Sequence, residues 1–263
     1  MLGTLRKPPG VTLDQQQLAE QIALEYEDVM VKGIAGHARS AQKLIGPSEI
    51  GVPCDRALIC KLAQLEEPSR GPAWKPAAGT AMHDQQERWF SAPAPTALTT
   101  ADDWEVEQKV AVGQIGPDTI KGSTDLWRKI GAVIDHKFVG QSRLKKYKGK
   151  GPGEQYRTQA HTYGKGWEDE GWEVKLVMIC FVPRDGELSD NYYWWEPYDR
   201  EVAEAALRRA NNRYTLLRTL GLNGALSLFP LCDASINPDW EWCPWCNPLR
   251  TITYNPRPFA ARN

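Results

Sequence analysis

The sequence lacks long apolar runs. The longest, Leu176 to Val182, is seven residues, whereas a membrane-spanning helix needs about 20, so no transmembrane segment is expected. The N-terminal stretch carries no apolar core of the kind a secretory signal needs. The expected compartment is the cytoplasm, where cysteines serve as thiols or metal ligands rather than disulfides. An excess of one charge is missing too. The 32 basic and 33 acidic side chains leave a formal net charge of −1, and as a whole-chain sum this argues against a polyanionic partner. There is no repeat at a solenoid period. There is no glycine-rich loop ending in Gly-Lys-Ser/Thr, which excludes a nucleotide-driven motor within the chain. No helix-turn-helix or other base-reading module is recognisable.

What is present is a globular composition. The 263 residues, 41% hydrophobic and 25% charged, suffice for one large or two small domains whose core needs no disulfide staples. Leu13 to Val31 reads as a helix. Ser48 is the expected cap of a short turn before a helix over Asp55 to Leu65. Pro68, Gly71, Pro72 and Pro76 mark a loop, after which Thr80 caps a helix to about Ser91. Residues 92–100 read as a loop. From Trp104 the period changes. Trp104 to Val112, Thr119 to Ile130 and Ala132 to Val139 read as strands, with Gly131 at the second turn. A Gly- and Lys-rich connection precedes a helix from about Gly153 to Glu170. Val174 to Val182 reads as a buried strand, Asn191 to Trp195 as an edge strand, and Asp199 to Leu220 as a long helix. This is an α/β pattern with a small mixed sheet flanked by helices. The expected divisions are a helical extension (1–45), a core (46–222) and a C-terminal segment (223–263) holding three of the six cysteines.

Asp125 and Asp135 fall on strands adjacent in sequence, and a tight turn between them brings two carboxylates side by side. Paired carboxylates repel unless a cation lies between them, and a divalent metal is the usual solution. His83 supplies a candidate imidazole, which tilts an oxygen site from Mg2+ towards Mn2+. Glu87, one helical turn on, is a further candidate ligand. Lys137 shares a strand face with Asp135. A cation that activates water, with an ammonium beside it, suits hydrolysis of a phosphodiester. Taken alone, a D-x-K is more often a surface ion pair, and a Tyr-x-x-Gln helix more often a packed face. The ordered set carries the signal.

That set runs Gly79 with His83, Gly122 with Asp125, Asp135 with Lys137, and Tyr156 with Gln159 and Tyr163. It resembles the RecB/AddB-type nucleases of the PD-(D/E)xK superfamily, and is especially similar to small stand-alone RecB-like exonucleases of phages and CRISPR systems. The likeness covers roughly residues 45–246. It implies a PD-(D/E)xK core and metal ligation by His83, Asp125, Asp135 and the backbone carbonyl of His136. It implies a catalytic role for Lys137, with Gln159 and Tyr163 positioning the phosphate or the lysine. One departure is that no proline precedes Asp125.

Cys54 stands early and Cys232, Cys243 and Cys246 late, the last two as Cys-Pro-Trp-Cys. Four such thiols can form a tetrahedral thiolate cage. In the resembled family one early and three late cysteines hold a 4Fe–4S cluster; zinc on the same ligands is the alternative. Here Cys232 precedes the pair, a departure from the family's order. Cys60 and Cys180 read as core thiols. Trp240, Trp242 and Trp245 interleave with the late cysteines.

Arg143, Lys145, Lys146, Lys148 and Lys150 form an acid-free run between the D-x-K strand and the Tyr-x-x-Gln helix. With Tyr156 they are the candidate DNA contacts, gripping backbone phosphates without reading sequence. The expected protein is thus a metal-dependent deoxyribonuclease, a sequence-independent exonuclease on single-stranded DNA ends, in DNA recombination, repair or phage replication. Its setting would be a bacterial or phage-infected cytoplasm, a helicase or recombination partner would supply unwinding, and an oligomer is compatible with the sequence. Two rivals are a non-catalytic DNA-binding scaffold of the same fold and a zinc-stabilised structural protein.

Overall fold

The computed structural model describes residues 9–10, 12–35, 44–68, 74–93 and 96–247. The loop expected at Gly71 and Pro72, and the tail beyond residue 247, lie outside them. Helices α1 (Leu13–Ala35), α2 (Pro47–Ile50), α3 (Asp55–Leu62) and α4 (Trp74–Phe90) precede strands β1 (Trp104–Ile115), β2 (Asp118–Arg128) and β3 (Ala132–Val139). Helices α5 (Gln141–Lys150) and α6 (Gly153–Asp169) follow, then β4 (Leu176–Pro183), β5 (Tyr192–Pro197) and α7 (Arg200–Ser227). No helix among the described residues is long and apolar enough to cross a membrane.

The five strands form one mixed sheet in the order β1-β2-β3-β4-β5. β1, β2 and β3 are antiparallel neighbours, β3 and β4 run parallel, and β4 and β5 antiparallel. A parallel pair needs a crossover, and α5 with α6 supplies it. Gly131, at φ +109, makes the β2–β3 turn; a Cβ there would press on the Glu173 carbonyl at 2.9 Å. The core lies between the sheet and α6, α7 and the short helices before α4. Trp127 and Trp167 stack in it with centroids 5.0 Å apart.

Four local expectations are corrected. Gly46, not Ser48, caps α2, its N–H donating to Glu49 Oε2 at 3.1 Å. α4 begins at Trp74, so Thr80 lies inside it, with its hydroxyl donating to the Pro76 carbonyl at 3.2 Å. Pro76 sits in the first turn, where its missing N–H costs nothing. The Lys-rich connection is not a loop but helix α5. Leu144 and Tyr147 are buried one turn apart, and that apolar pair gives an otherwise charged segment a face to pack. The long helix, expected to end at Leu220, kinks at Gly221 (φ +68) and continues to Ser227.

An ion-pair cluster ties the early helices to α7. Asp55 accepts from Arg213 Nε at 2.8 Å and Arg209 Nε at 3.0 Å, and Arg209 also donates to the Val52 and Pro53 carbonyls. Burial would raise the Asp55 carboxyl, but the two guanidiniums outweigh it and hold it below the ordinary range.

Candidate active site

β2 and β3 part where their carboxylates sit. The backbone ladder ends at the pair Leu126 and Ile134, one residue short of Asp125 and Asp135. Instead the His136 N–H donates to Asp125 Oδ2 at 2.6 Å, so a side chain satisfies a donor the ladder leaves over. Asp135 is 2% exposed. Its Oδ1 accepts from Gln159 Nε2 of α6 at 3.0 Å, and its Oδ2 lies 2.5 Å from Lys137 Nζ. From α4, His83 Nδ1 reaches Asp125 Oδ1 at 3.4 Å. Four elements, α4, β2, β3 and α6, thus bring His83, Asp125, Asp135, Lys137 and Gln159 together.

The electrostatics are polarised. Burial pushes the Asp135 carboxyl up, Lys137 opposes and Asp125 adds, for a net rise. Burial would raise Asp125 too, yet His83, Lys137 and His136 together hold it well below the usual carboxylate range. Burial would lower His83, but the Asp125 carboxylate outweighs it and keeps it raised. Burial takes His136 down to about 4. Two adjacent carboxylates driven in opposite directions mark a site where negative charge is crowded.

The sequence pattern missed Glu107. It lies on β1 between the pairs Val106–Leu126 and Gln108–Thr124, opposite Asp125. One ligand atom from each of His83, Glu107 and Asp125 lies within 4.8 Å of the others. Glu107 also has φ +50, a left-handed conformation that costs an L-residue about 1–2 kcal/mol. Only the strand register separates it from Glu105, two residues earlier, so nothing in the residue string marks it out. Glu87 is exposed on α4 and outside this group. The inward face of α4 runs through His83, Gln86 and Phe90: Gln86 is buried and Phe90 packs on His136 at 5.7 Å.

These donors fit a divalent cation. An imidazole and two carboxylates converge, with Asp135 beside them, and like charges facing each other across strands are destabilising unless neutralised. Both ring nitrogens of His136 and the Gln159 Oε1 are buried with no hydrogen-bond partner among the described residues. Oxygen donors suit Mg2+, and the imidazole suits Mn2+ as well.

The remaining expected residues fall around this centre. Tyr156 lies beneath Lys137, whose ammonium is 5.0 Å from the ring centroid. Tyr163 is a core residue packed on β2; a Cβ on Gly122 would stand 2.9 Å from its hydroxyl and 2.6 Å from Pro47 Cγ. That explains the glycine by packing. Gly79, by contrast, has open space around it. On α5, Arg143, Lys145, Lys148 and Lys150 are exposed and Lys146 is half-buried.

In a second, smaller buried cluster the cysteines meet. One sulfur from each of Cys54, Cys232, Cys243 and Cys246 lies within 4.8 Å of the others, and Cys54 Sγ is 3.5 Å from Cys246 Sγ. Cys54 also caps α3, its sulfur accepting the Ala57 N–H at 3.4 Å. Cys232 joins the group although it precedes the pair in sequence. Hydrogen bonds from Cys54 draw the Cys243 thiol down against burial, while burial pushes Cys232 up. A ready thiolate among clustered thiols fits a metal site. Trp240 and Trp245 pack on the group, and Trp242 is 52% exposed. Cys60 and Cys180 are buried outside the group.

Fold and site define a mixed α/β protein: a five-stranded sheet flanked by helices, with a carboxylate–lysine centre and a four-cysteine cluster. No protein-family model matches the chain, and no curated protein matches it. Among solved structures it is similar to an alkaline exonuclease from Laribacter hongkongensis. The TM-score is 0.45 at 9% identity, over 76% of this chain and 95% of that one. It is similar also to the same exonuclease in complex with dAMP, with TM-score 0.46 and 9% identity over 71% and 91% of the two chains.

Proposed function

We propose that the chain is a metal-dependent deoxyribonuclease that hydrolyses phosphodiesters from the ends of single-stranded DNA without reading sequence. The observation that carries this reading is the convergence of His83, Asp125, Asp135 and Lys137 where β2 and β3 part. His83, Glu107, Asp125 and Asp135, with the His136 carbonyl, would hold a Mg2+ or Mn2+ ion. Such an ion supplies Lewis acidity to the phosphate and a nucleophile at neutral pH. Asp135 holds Lys137, and Gln159 holds Asp135 from the opposite side, which fixes the ammonium at the mouth of the carboxylate group. There it offsets charge developing on the phosphoryl oxygens. Tyr156 under the ammonium limits its swing. The exposed cations of α5 would grip the strand by its phosphates.

The cysteine group ties the start of α3 to the C-terminal segment. The family resemblance implies a 4Fe–4S cluster there, with zinc on the same four sulfurs as the alternative. Cys54, Cys232, Cys243 and Cys246 would hold either group through their thiolates. Metal analysis of anaerobically purified protein decides. One zinc per chain with no visible absorbance supports the tetrahedral ion; a brown protein with iron supports the cluster.

The activity is tested by offering linear and circular single-stranded DNA with Mg2+ or Mn2+, beside Asp135→Ala. Digestion of linear DNA alone, abolished by the substitution, is expected. Cleavage that survives Asp135→Ala would refute the site, and cutting of circles would refute an exonuclease.

A further inference from the structure

We infer that Asp239 is a built-in stand-in for a DNA phosphate, set on helix α5 by the cysteine segment, so that the cysteine site governs how many cations α5 offers to DNA. The inference rests on the reading of α5 as a phosphate-binding helix. Lys146 Nζ reaches both carboxylate oxygens of Asp239, at 2.8 and 2.9 Å, and an Arg143 guanidinium nitrogen lies 3.9 Å from Oδ2. An oxyanion presenting two oxygens to a lysine, with an arginine beside it, is the arrangement a backbone phosphate would take.

Asp239 is delivered there by the cysteine segment. It lies between Cys232 and Cys243 in a run of local hydrogen bonds. Asn237 N–H donates to the Asp233 carbonyl at 2.9 Å, Asp239 N–H to Asn237 Oδ1 at 3.0 Å, and Trp242 N–H to the Asp239 carbonyl at 2.8 Å. The Cys243 N–H then donates to the Trp240 carbonyl at 3.0 Å. This chain of turns begins next to one cysteine and ends on another, so an ion that fixes the sulfurs fixes the carboxylate.

The contact is not needed to seat α5. Leu144 and Tyr147 are buried, and Tyr147 stacks on Phe181 with centroids 4.5 Å apart. The pair itself is partly exposed, 33% for Lys146 and 44% for Asp239, and such pairs add little to stability. Its consequence therefore falls on charge. With Asp239 in place, a phosphate that engages Lys146 must displace it; with Asp239 removed, Lys146 and Arg143 join Lys145, Lys148 and Lys150.

The test is salt-dependent binding of a fluorescent oligothymidylate without divalent cation, in full-length protein carrying Asp135→Ala to block cleavage and its cysteine site verified as loaded. Asp239→Asn should tighten binding about 3- to 10-fold at low salt and steepen the log–log salt slope by about 0.7 per added phosphate contact. Lys146→Gln in the Asp239→Asn protein should remove the gain. Emptying the cysteine site with Cys243→Ser, in protein whose circular dichroism matches the parent, should reproduce the gain and leave nothing for Asp239→Asn to add. Unchanged or weaker binding by Asp239→Asn overturns the inference. Lys145→Gln with Lys148→Gln separates the two readings. If that pair leaves affinity and slope unchanged, α5 does not contact DNA and both readings fall. If the pair weakens binding while Asp239→Asn has no effect, only the role of Asp239 falls.

Discussion

Glu107→Gln removes one carboxylate charge from the His83–Glu107–Asp125 group while leaving size and backbone strain in place. Without a cation the two facing carboxylates repel. At the 4.8 Å that bounds their ligand atoms, two unit charges interact by about 0.9 kcal/mol in water and about 3.5 kcal/mol at an effective dielectric of 20. The side chains are 30% and 11% exposed, so screening is partial, and a protonated His83 offsets part of the remainder. The variant should therefore be more stable than wild type in chelator by about 1 kcal/mol, or about 2 °C in melting temperature for a chain of this size. With Mn2+ the order reverses. At 100 times the dissociation constant a bound ion stabilises by about 2.7 kcal/mol; losing a ligand and tenfold in affinity cuts this to about 1.4 kcal/mol. Thermal melts with chelator and across a Mn2+ titration read both signs in one experiment. A variant less stable in chelator, with an unchanged Mn2+ shift, would show that Glu107 is a structural residue and refute the reasoning.

Further expectations concern packing and charge elsewhere. Gly122→Ala should cost about 1–3 kcal/mol, because its Cβ would meet Pro47 at 2.6 Å and Tyr163 at 2.9 Å; a denaturant melt within 0.5 kcal/mol of wild type would contradict this. Asp55→Asn should cost about 1–2 kcal/mol at pH 7, since the carboxylate binds two arginines. A depressed folded pKa contributes stability above the ordinary carboxylate range and loses it as pH falls below that range. The gap between wild type and variant should therefore close in acid, and a gap that persists would contradict the ion-pair account. Cys243→Ser should free the C-terminal segment from α3. Limited proteolysis should then cut after residue 228 while the sheet core survives, and unchanged resistance would count against the cross-link.

Much of this was legible in the string because it rests on short-range periodicity. The alternation from Trp104 and the apolar run at Leu176–Val182 mark strands whatever surrounds them. Asp135 and Lys137 share a face by the pleat alone. Other features depend on what the chain packs against. α5 is helical because Leu144 and Tyr147 find a buried face, which a run of lysines and glycines does not announce. Glu107 differs from Glu105 only through its register against β2. Glu87 has the right helical spacing from His83, but the burial of Gln86 and the packing of Phe90 on His136 turn that side chain outward. Asp239 is 93 residues from Lys146, and no local pattern connects them.

The most direct test of the central claim is single-turnover cleavage of linear single-stranded DNA in Mn2+ by wild type, Asp135→Asn and Lys137→Ala, with DNA affinity measured in parallel. The β2–β3 centre as the seat of phosphodiester hydrolysis predicts a fall of at least 100-fold in rate for both variants, with affinity within a few-fold of wild type. Cleavage at the wild-type rate by either variant would contradict it.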